Sequence, residues 1–187
     1  DGSEDLLVCY EWGGIDAFIS QNKGFKKTPV CNENGWWNFI LPFDADNDGD
    51  LDLIAGNFGL NSKLRASKEQ PVSMYYNDFD NNFKYEQLVT YFVRGDEIPF
   101  STMQELQKQL PSIKSKFLYA EDFAKAPLKN LFPEEKFSSA HKFVVNNFSN
   151  VILINDGSMH FEMRALPFQA QFTTFRDAAV VSVNDDK

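Results

Sequence analysis

The chain has no excess of basic residues. Lys and Arg number 18 against 27 Asp and Glu, a formal net charge of −9. That balance excludes nucleic acid as an expected partner, because phosphate binding needs a basic footprint. No run of about 18 apolar residues occurs, so no membrane-spanning helix is predicted. No signal peptide is visible either; the chain opens on Asp1-Gly2-Ser3-Glu4-Asp5, and any leader is expected upstream of it. Cys9 and Cys31 are too few to mark a redox compartment, and a disulfide and two buried thiols both stay open. His141 and His160 are the only histidines, far apart and outside any nucleophile signature. Zinc-ligand spacing, a phosphate-cradling glycine loop and a nucleophile elbow are all missing.

What remains is an ordinary globular composition. A length of 187 residues with 43% hydrophobic content supports a real core. The 19 Phe residues favour sheets, whose pleated faces pack aromatic rings well.

The most informative segment is Asp44-Ala45-Asp46-Asn47-Asp48-Gly49-Asp50-Leu51-Asp52. Acidic side chains stand at loop positions 1, 3, 5 and 9, and glycine at 6. A hard cation needs several oxygen ligands at short radius, and alternate residues of a tight loop aim carboxylates at one centre. Gly49 permits the sharp turn, and position 7, Asp50, is expected to offer its carbonyl oxygen. The predicted Ca²⁺ ligands are therefore Asp44, Asp46, Asp48, Asp50 and Asp52. An EF-hand is excluded: position 12 is Ala55 rather than Glu, and the following Leu51–Gly59 reads as a buried strand rather than a helix. The plain alternative is a solvated acidic turn.

The loop repeats. Asp1–Val8 aligns with Asp48–Ala55, so the chain is expected to begin at position 5 of an earlier copy. Asp78-Phe79-Asp80-Asn81-Asn82-Phe83-Lys84-Tyr85-Glu86 is a further copy with Phe83 in place of glycine. Its predicted ligands are Asp78, Asp80, Asn82, Lys84 (carbonyl) and Glu86. Ser182–Lys187 reads as positions 1 to 6 of a fourth copy, with Ser first and Lys in place of glycine. Hairpin signals recur as well, at Ala17–Phe25 and at Ile152–Phe161, and a strand is expected before each loop, over Trp37–Phe43 and Ala178–Val183. Asp5 and Asp52 lie 47 residues apart, a period that suits a four-stranded propeller blade. A chain this short cannot close a propeller of common size, so a piece of a larger repeat protein, cut within loops, is expected.

Residues 101–136 break the β pattern. Met103, Leu106 and Leu110 mark one helical face, Ser101 or Thr102 can cap it, and Glu105 can complete a capping box. A second helix is expected over Tyr119–Ala126 and a further turn over Lys129–Phe132. The fold expectation is thus mainly β: antiparallel β-propeller-like blades forming a partial propeller, with a helical insertion around 101–136. In domain terms, 1–97 holds blade repeats with acidic loops, 98–136 the insertion, and 137–187 a return to blade, all within one repeat domain.

Phe43–Ile54, followed by Asn57-Phe58-Gly59, resembles the FG-GAP/VCBS repeat family, whose calcium loops sit on the rim of integrin-α-like β-propellers. The helical insertion, with Ile98-Pro99-Phe100 before it and Asn155-Asp156-Gly157 after it, looks like the large surface repeat proteins of Bacteroidetes-type bacteria. The resemblance implies a propeller fold, structural Ca²⁺, export to the cell surface, the outer membrane or the extracellular space, and binding rather than catalysis.

Other features have plainer readings beside functional ones. Arg94-Gly95-Asp96 spells an integrin-recognition tripeptide but more simply makes a hairpin turn. Trp12, Trp36 and Trp37 suit an aromatic sugar platform, or core and blade-edge packing, which the inward alternation along Trp37–Phe43 favours. Glu121-Asp122 and Glu134-Glu135 read as solvated helix faces rather than a glycosidase pair. Asn147-Phe148-Ser149 fits a glycosylation acceptor, relevant only in a eukaryotic secretory pathway. Two functions follow as expectations. The first is a non-enzymatic calcium-stabilised binding or scaffold module contacting protein or glycan and packing against neighbouring blades of a longer chain. The alternative is part of a glycan-active lyase or hydrolase whose site lies outside this segment.

Overall fold

The structure is a computed structural model that describes residues 2–181. Asp1 and the expected fourth loop at Ser182–Lys187 lie outside the described residues. In chain order the strands are β1 (Leu6–Cys9), β2 (Glu11–Gln21), β3 (Gly24–Trp36), β4 (Phe39–Phe43), β5 (Asp52–Gly56), β6 (Val72–Asn77), β7 (Glu86–Val93), β8 (Asp96–Pro99), β9 (His141–Val145), β10 (Val151–Asn155) and β11 (Phe161–Ala165). Four short helices, α1 (Met103–Gln109), α2 (Ser112–Lys116), α3 (Ala120–Lys125) and α4 (Glu134–Ser138), lie between β8 and β9. The fold is mainly β with antiparallel sheets, and the described residues form no closed barrel or propeller.

Two compact units divide the chain: Asp1–Lys63 with Asn147–Lys187, and Leu64–Asn146. The first contains a sheet in the order β1-β2-β3 and another in the order β11-β10-β5-β4. With Leu64–Asn146 set aside, the second of these is a simple meander, each strand pairing with the next along the chain. Its core face follows the two-residue period of a strand. Leu53 stands opposite Leu153 and Ala55 opposite Val151, and all four are buried together with Ile15, Ala17 and Trp37. The β2–β3 hairpin turns at Asn22-Lys23, where Gly24 takes a φ of +114° that a side chain would resist.

The second unit contains the sheet β8-β7-β6-β9. Arg94 and Gly95 form the two-residue turn between β7 and β8 with φ of +53° and +90°, the handedness of a type I′ hairpin. The Arg-Gly-Asp tripeptide is therefore an exposed hairpin tip. The helices join β8 to β9, the two edges of this one sheet. At α1, Thr102 accepts from the Glu105 N–H while the Glu105 carboxylate accepts from the Thr102 N–H, so both orphan donors are satisfied. Leu106, Leu110, Ile113, Phe123 and Leu131 bury against Tyr75, Phe79 and Leu88 of the sheet and its loop. This unit thus has a core of its own.

The strand expected over Ala178–Val183 does not form in its described part. Residues 178–181 carry no strand. Val180 and Val181 are 59% and 71% exposed, and no described strand runs alongside to complete a ladder, so β-branched composition alone leaves them irregular.

Candidate metal centres

The first acidic loop joins β4 to β5 and the second joins β6 to β7. They share left-handed backbone at the same two positions and three equivalent hydrogen bonds. At position 4, Asn47 and Asn81 both have φ of +62°; at position 6, Gly49 has +97° and Phe83 +66°. Asparagine tolerates the left-handed region better than most residues, and glycine enters it freely; Phe83 does so against its own preference.

The hydrogen bonds repeat too. The position 6 N–H donates to the position 1 carboxylate, Gly49 to Asp44 Oδ2 at 3.1 Å and Phe83 to Asp78 Oδ2 at 2.8 Å. The position 7 N–H donates to position 5, Asp50 to Asp48 Oδ1 at 2.9 Å and Lys84 to Asn82 Oδ1 at 2.7 Å. The position 2 N–H donates to position 9, Ala45 to Asp52 Oδ2 at 2.7 Å and Phe79 to Glu86 Oε2 at 3.0 Å. Asp52 also accepts from Asn155 N on β10 at 2.8 Å, and Asp5 accepts from Ser20 N on β2 at 2.7 Å. Asp5 and Asp52 therefore tie their strands to the next strand in the same manner, as the alignment of the two segments requires.

These bonds gather carboxylates. Oxygens of Asp44, Asp46 and Asp48 lie within 4.8 Å of one another, and so do those of Asp78, Asp80 and Glu86. Each group could hold a metal ion. The Asp52 carboxylate lies outside the first triad: it is fully buried with both oxygens engaged by backbone N–H groups. In the second loop the Asn82 side chain braces the Lys84 N–H. The donor set suits a hard, oxygen-seeking cation. A further observation fits it: Asp80 Oδ1 is buried with no hydrogen-bond partner among the described residues, an acceptor that is costly to leave unsatisfied.

The electrostatics record the crowding. Partial desolvation pushes the Asp46 carboxyl up, and the charges of Asp48, Asp52 and Asp44 add to it against the Asp48 N–H. Burial pushes Glu86 up, with Asp80 and Asp78 adding to it against the Phe79 N–H. Asp78 moves the other way: against its own desolvation, the N–H groups of Phe83, Asn82 and Asn81, and then Lys136, hold it down. Lys136 is a participant that the sequence pattern gives no means of finding. Carried by α4, its ammonium donates to the Asp78 carbonyl and, at 2.6 Å, to Asn81 Oδ1, so the second loop has a cation of its own at one side.

The remaining candidates separate. Trp37 is 2% exposed and belongs to the core, whereas Trp12 and Trp36 pair edge to face at 5.2 Å. Cys9 and Cys31 are free thiols, both pushed up by burial. His141 is exposed on β9, and His160 lies 3.3 Å from Asp156 beside the β10–β11 turn. A buried amide network was not legible in the sequence. Asn57 Oδ1 accepts from Trp36 N and Phe58 N, Asn57 N donates to Asn150 Oδ1 at 2.6 Å, and Asn150 and Gln171 bond each other twice.

Comparison with protein-family models, curated proteins and solved structures finds no match.

Proposed function

We propose that the chain is a calcium-stabilised binding or scaffold module, non-enzymatic and built of FG-GAP/VCBS-type blades. It works at a cell surface or outside the cell, packs against neighbouring blades of a longer chain, and contacts protein or glycan. The observation that carries this reading is the shared turn and hydrogen-bond pattern of the two loops. Sequences that differ at position 6 keep left-handed backbone at positions 4 and 6 and three equivalent hydrogen bonds, and each loop gathers three carboxylates, at positions 1, 3 and 5 in one and 1, 3 and 9 in the other. The four-strand meander β4-β5-β10-β11, with an acidic loop between its first two strands, supports the blade.

The role of the cation is structural in this reading. Asp44, Asp46 and Asp48 would hold it in one loop and Asp78, Asp80 and Glu86 in the other, its charge offsetting the repulsion among them. Ca²⁺ suits flexible, many-oxygen loops better than Mg²⁺, which demands near-ideal octahedral geometry. An ion that binds only the folded state stabilises it by mass action, about 2.7 kcal/mol at a hundred-fold excess over Kd.

The test is thermal unfolding with about 10 mM Ca²⁺, above the ~10⁻⁴–10⁻³ M Kd range of extracellular modules, and with chelator. A Ca²⁺-dependent rise that shrinks in the Asp46→Ala, Asp48→Ala double variant is expected. No rise in the wild-type protein would reduce both loops to acidic turns.

A further inference from the structure

A second site lies apart from the acidic loops, where β2 and β3 pair irregularly. Glu11 stands opposite Trp36 and Gly13 opposite Gly35, but the register shifts between these pairs and again toward Ile15. Trp12, inside the first shift, has φ of +63°. For a bulky aromatic residue this is an outlier, and such strain persists only where the surroundings enforce it. Strand irregularities of this kind re-aim side chains and occur beside functional sites.

The re-aimed indole meets Trp36 at 5.2 Å and 71°, and Trp36 meets Phe58 at 5.0 Å and 82°. Trp36 carries a second local cost, since its Nε1–H is buried without a hydrogen-bond partner. The amide network fixes the backbone beneath both rings through Asn57. These rings line a cavity of about 260 Å³ together with Glu11, Asn38 and Arg176. Asn38 donates its amide to Trp36 O at 3.1 Å, leaving the carboxamide oxygen as an acceptor. Glu11 and Arg176 are exposed and form no ion pair among the described residues.

We propose that this cavity binds a single pyranose ring of a neutral saccharide. Aromatic walls suit the apolar C–H face of a sugar, while a carboxylate, a carboxamide and a guanidinium suit its hydroxyls. The two charged groups cancel, which favours a neutral polyol over an ion. The volume lies below the ~300–1,000 Å³ of pockets for drug-sized ligands, so one ring is accommodated rather than a long chain. Strain at Trp12 and an unpaired donor at Trp36 are local costs of the kind that proteins retain at functional sites. The proposal deepens the binding-module reading by naming the ligand class, and the cavity shares no residue with the acidic loops.

The test follows the three indole N–H signals by NMR in the full chain, with methyl glycosides of glucose, galactose, mannose and N-acetylglucosamine at millimolar concentration. At least one sugar is expected to shift Trp12 and Trp36 while leaving Trp37 in place. Trp12→Gly removes a ring and relieves the positive φ, so it should lose the response while an unmoved Trp37 signal and cooperative unfolding show that the chain is still folded. Arg176→Gln should weaken binding about ten-fold, the scale of one charge-assisted hydrogen bond. The proposal falls if no sugar shifts either signal, if the response survives Trp12→Gly, or if choline shifts the same signals equally. A sugar response without Ca²⁺-dependent melting would overturn the loop reading alone, and the reverse would overturn this site alone.

Discussion

Phe83 and Gly49 occupy the same place in their loops and the same left-handed backbone region, with φ of +66° and +97°. Each donates its N–H to the first carboxylate of its loop, Asp78 or Asp44. The loop path is therefore imposed by the carboxylate bonds and tolerates the wrong residue at its turn.

A reciprocal pair of substitutions follows from this. Phe83 is 95% exposed, so Phe83→Gly loses little packing and relieves a left-handed cost of about 1–2 kcal/mol, partly offset by the extra chain entropy of glycine. A net gain of about 0.5–1 kcal/mol is expected in denaturant titration. A Cβ at Gly49 meets nothing within 4 Å, so Gly49→Ala should cost about 1 kcal/mol for conformational reasons alone. Equal and negligible effects at both positions would show that the loops are too mobile for the φ values to matter.

Asp46 and Asp52 should behave differently once metal is removed. Asp52 is fully buried and braces Ala45 N and Asn155 N, so Asp52→Ala leaves two donors unsatisfied at about 1–3 kcal/mol each. That loss should appear in chelator as well as in Ca²⁺. Asp46→Ala should be neutral or slightly stabilising in chelator, because it removes a like charge, and harmful only in Ca²⁺. If the two variants show the same pattern in both solutions, the division into bracing and ligand carboxylates is wrong.

The amide network predicts a large effect without any metal. Asn150 is fully buried; its side chain accepts from Asn57 N and donates to Ala170 O and Thr173 O. Asn150→Ala orphans these groups and should cost about 3 kcal/mol or more. Asn150→Asp matches it in shape but cannot donate to either carbonyl, and should be nearly as damaging. A cost below about 1 kcal/mol for either variant, measured by urea unfolding, would contradict the network.

What could be read from the chain was local. Alternate acidic residues with Gly49 mark a turn, Thr102 with Glu105 a cap, and Arg94-Gly95 a hairpin, because a few neighbouring residues decide each. The triads at Asp44, Asp46, Asp48 and at Asp78, Asp80, Glu86 were legible for the same reason. The role of Asp52 was not, since its second partner, Asn155, is 103 positions away. Lys136 reaches Asn81 from 55 positions away, and no spacing rule connects a helix to a distant loop. The positive φ of Trp12 is set by register shifts in a paired strand, which residue type does not reveal. The strand predicted over Ala178–Val183 does not form in its described part, residues 178–181, where no described strand lies alongside to pair with it.

Glu86 gives a prediction whose sign reverses with calcium. Its carboxyl is pushed up by burial and by Asp80 and Asp78, so the folded metal-free protein holds this proton more tightly than the unfolded chain. The contribution of Glu86 therefore becomes less favourable as pH rises from the unfolded value of about 4.3 through the folded one, and the cost is fully present at neutral pH. Glu86→Gln keeps an oxygen for the Phe79 N–H and removes the charge. In chelator at neutral pH it should melt at or above the wild-type temperature, and melting should depend less on pH between neutrality and about 4.3. In Ca²⁺ it should melt below wild type, because a carboxamide is a poorer ligand than a carboxylate. A loss of equal size in both solutions would mean that Glu86 braces the loop and does not meet the cation.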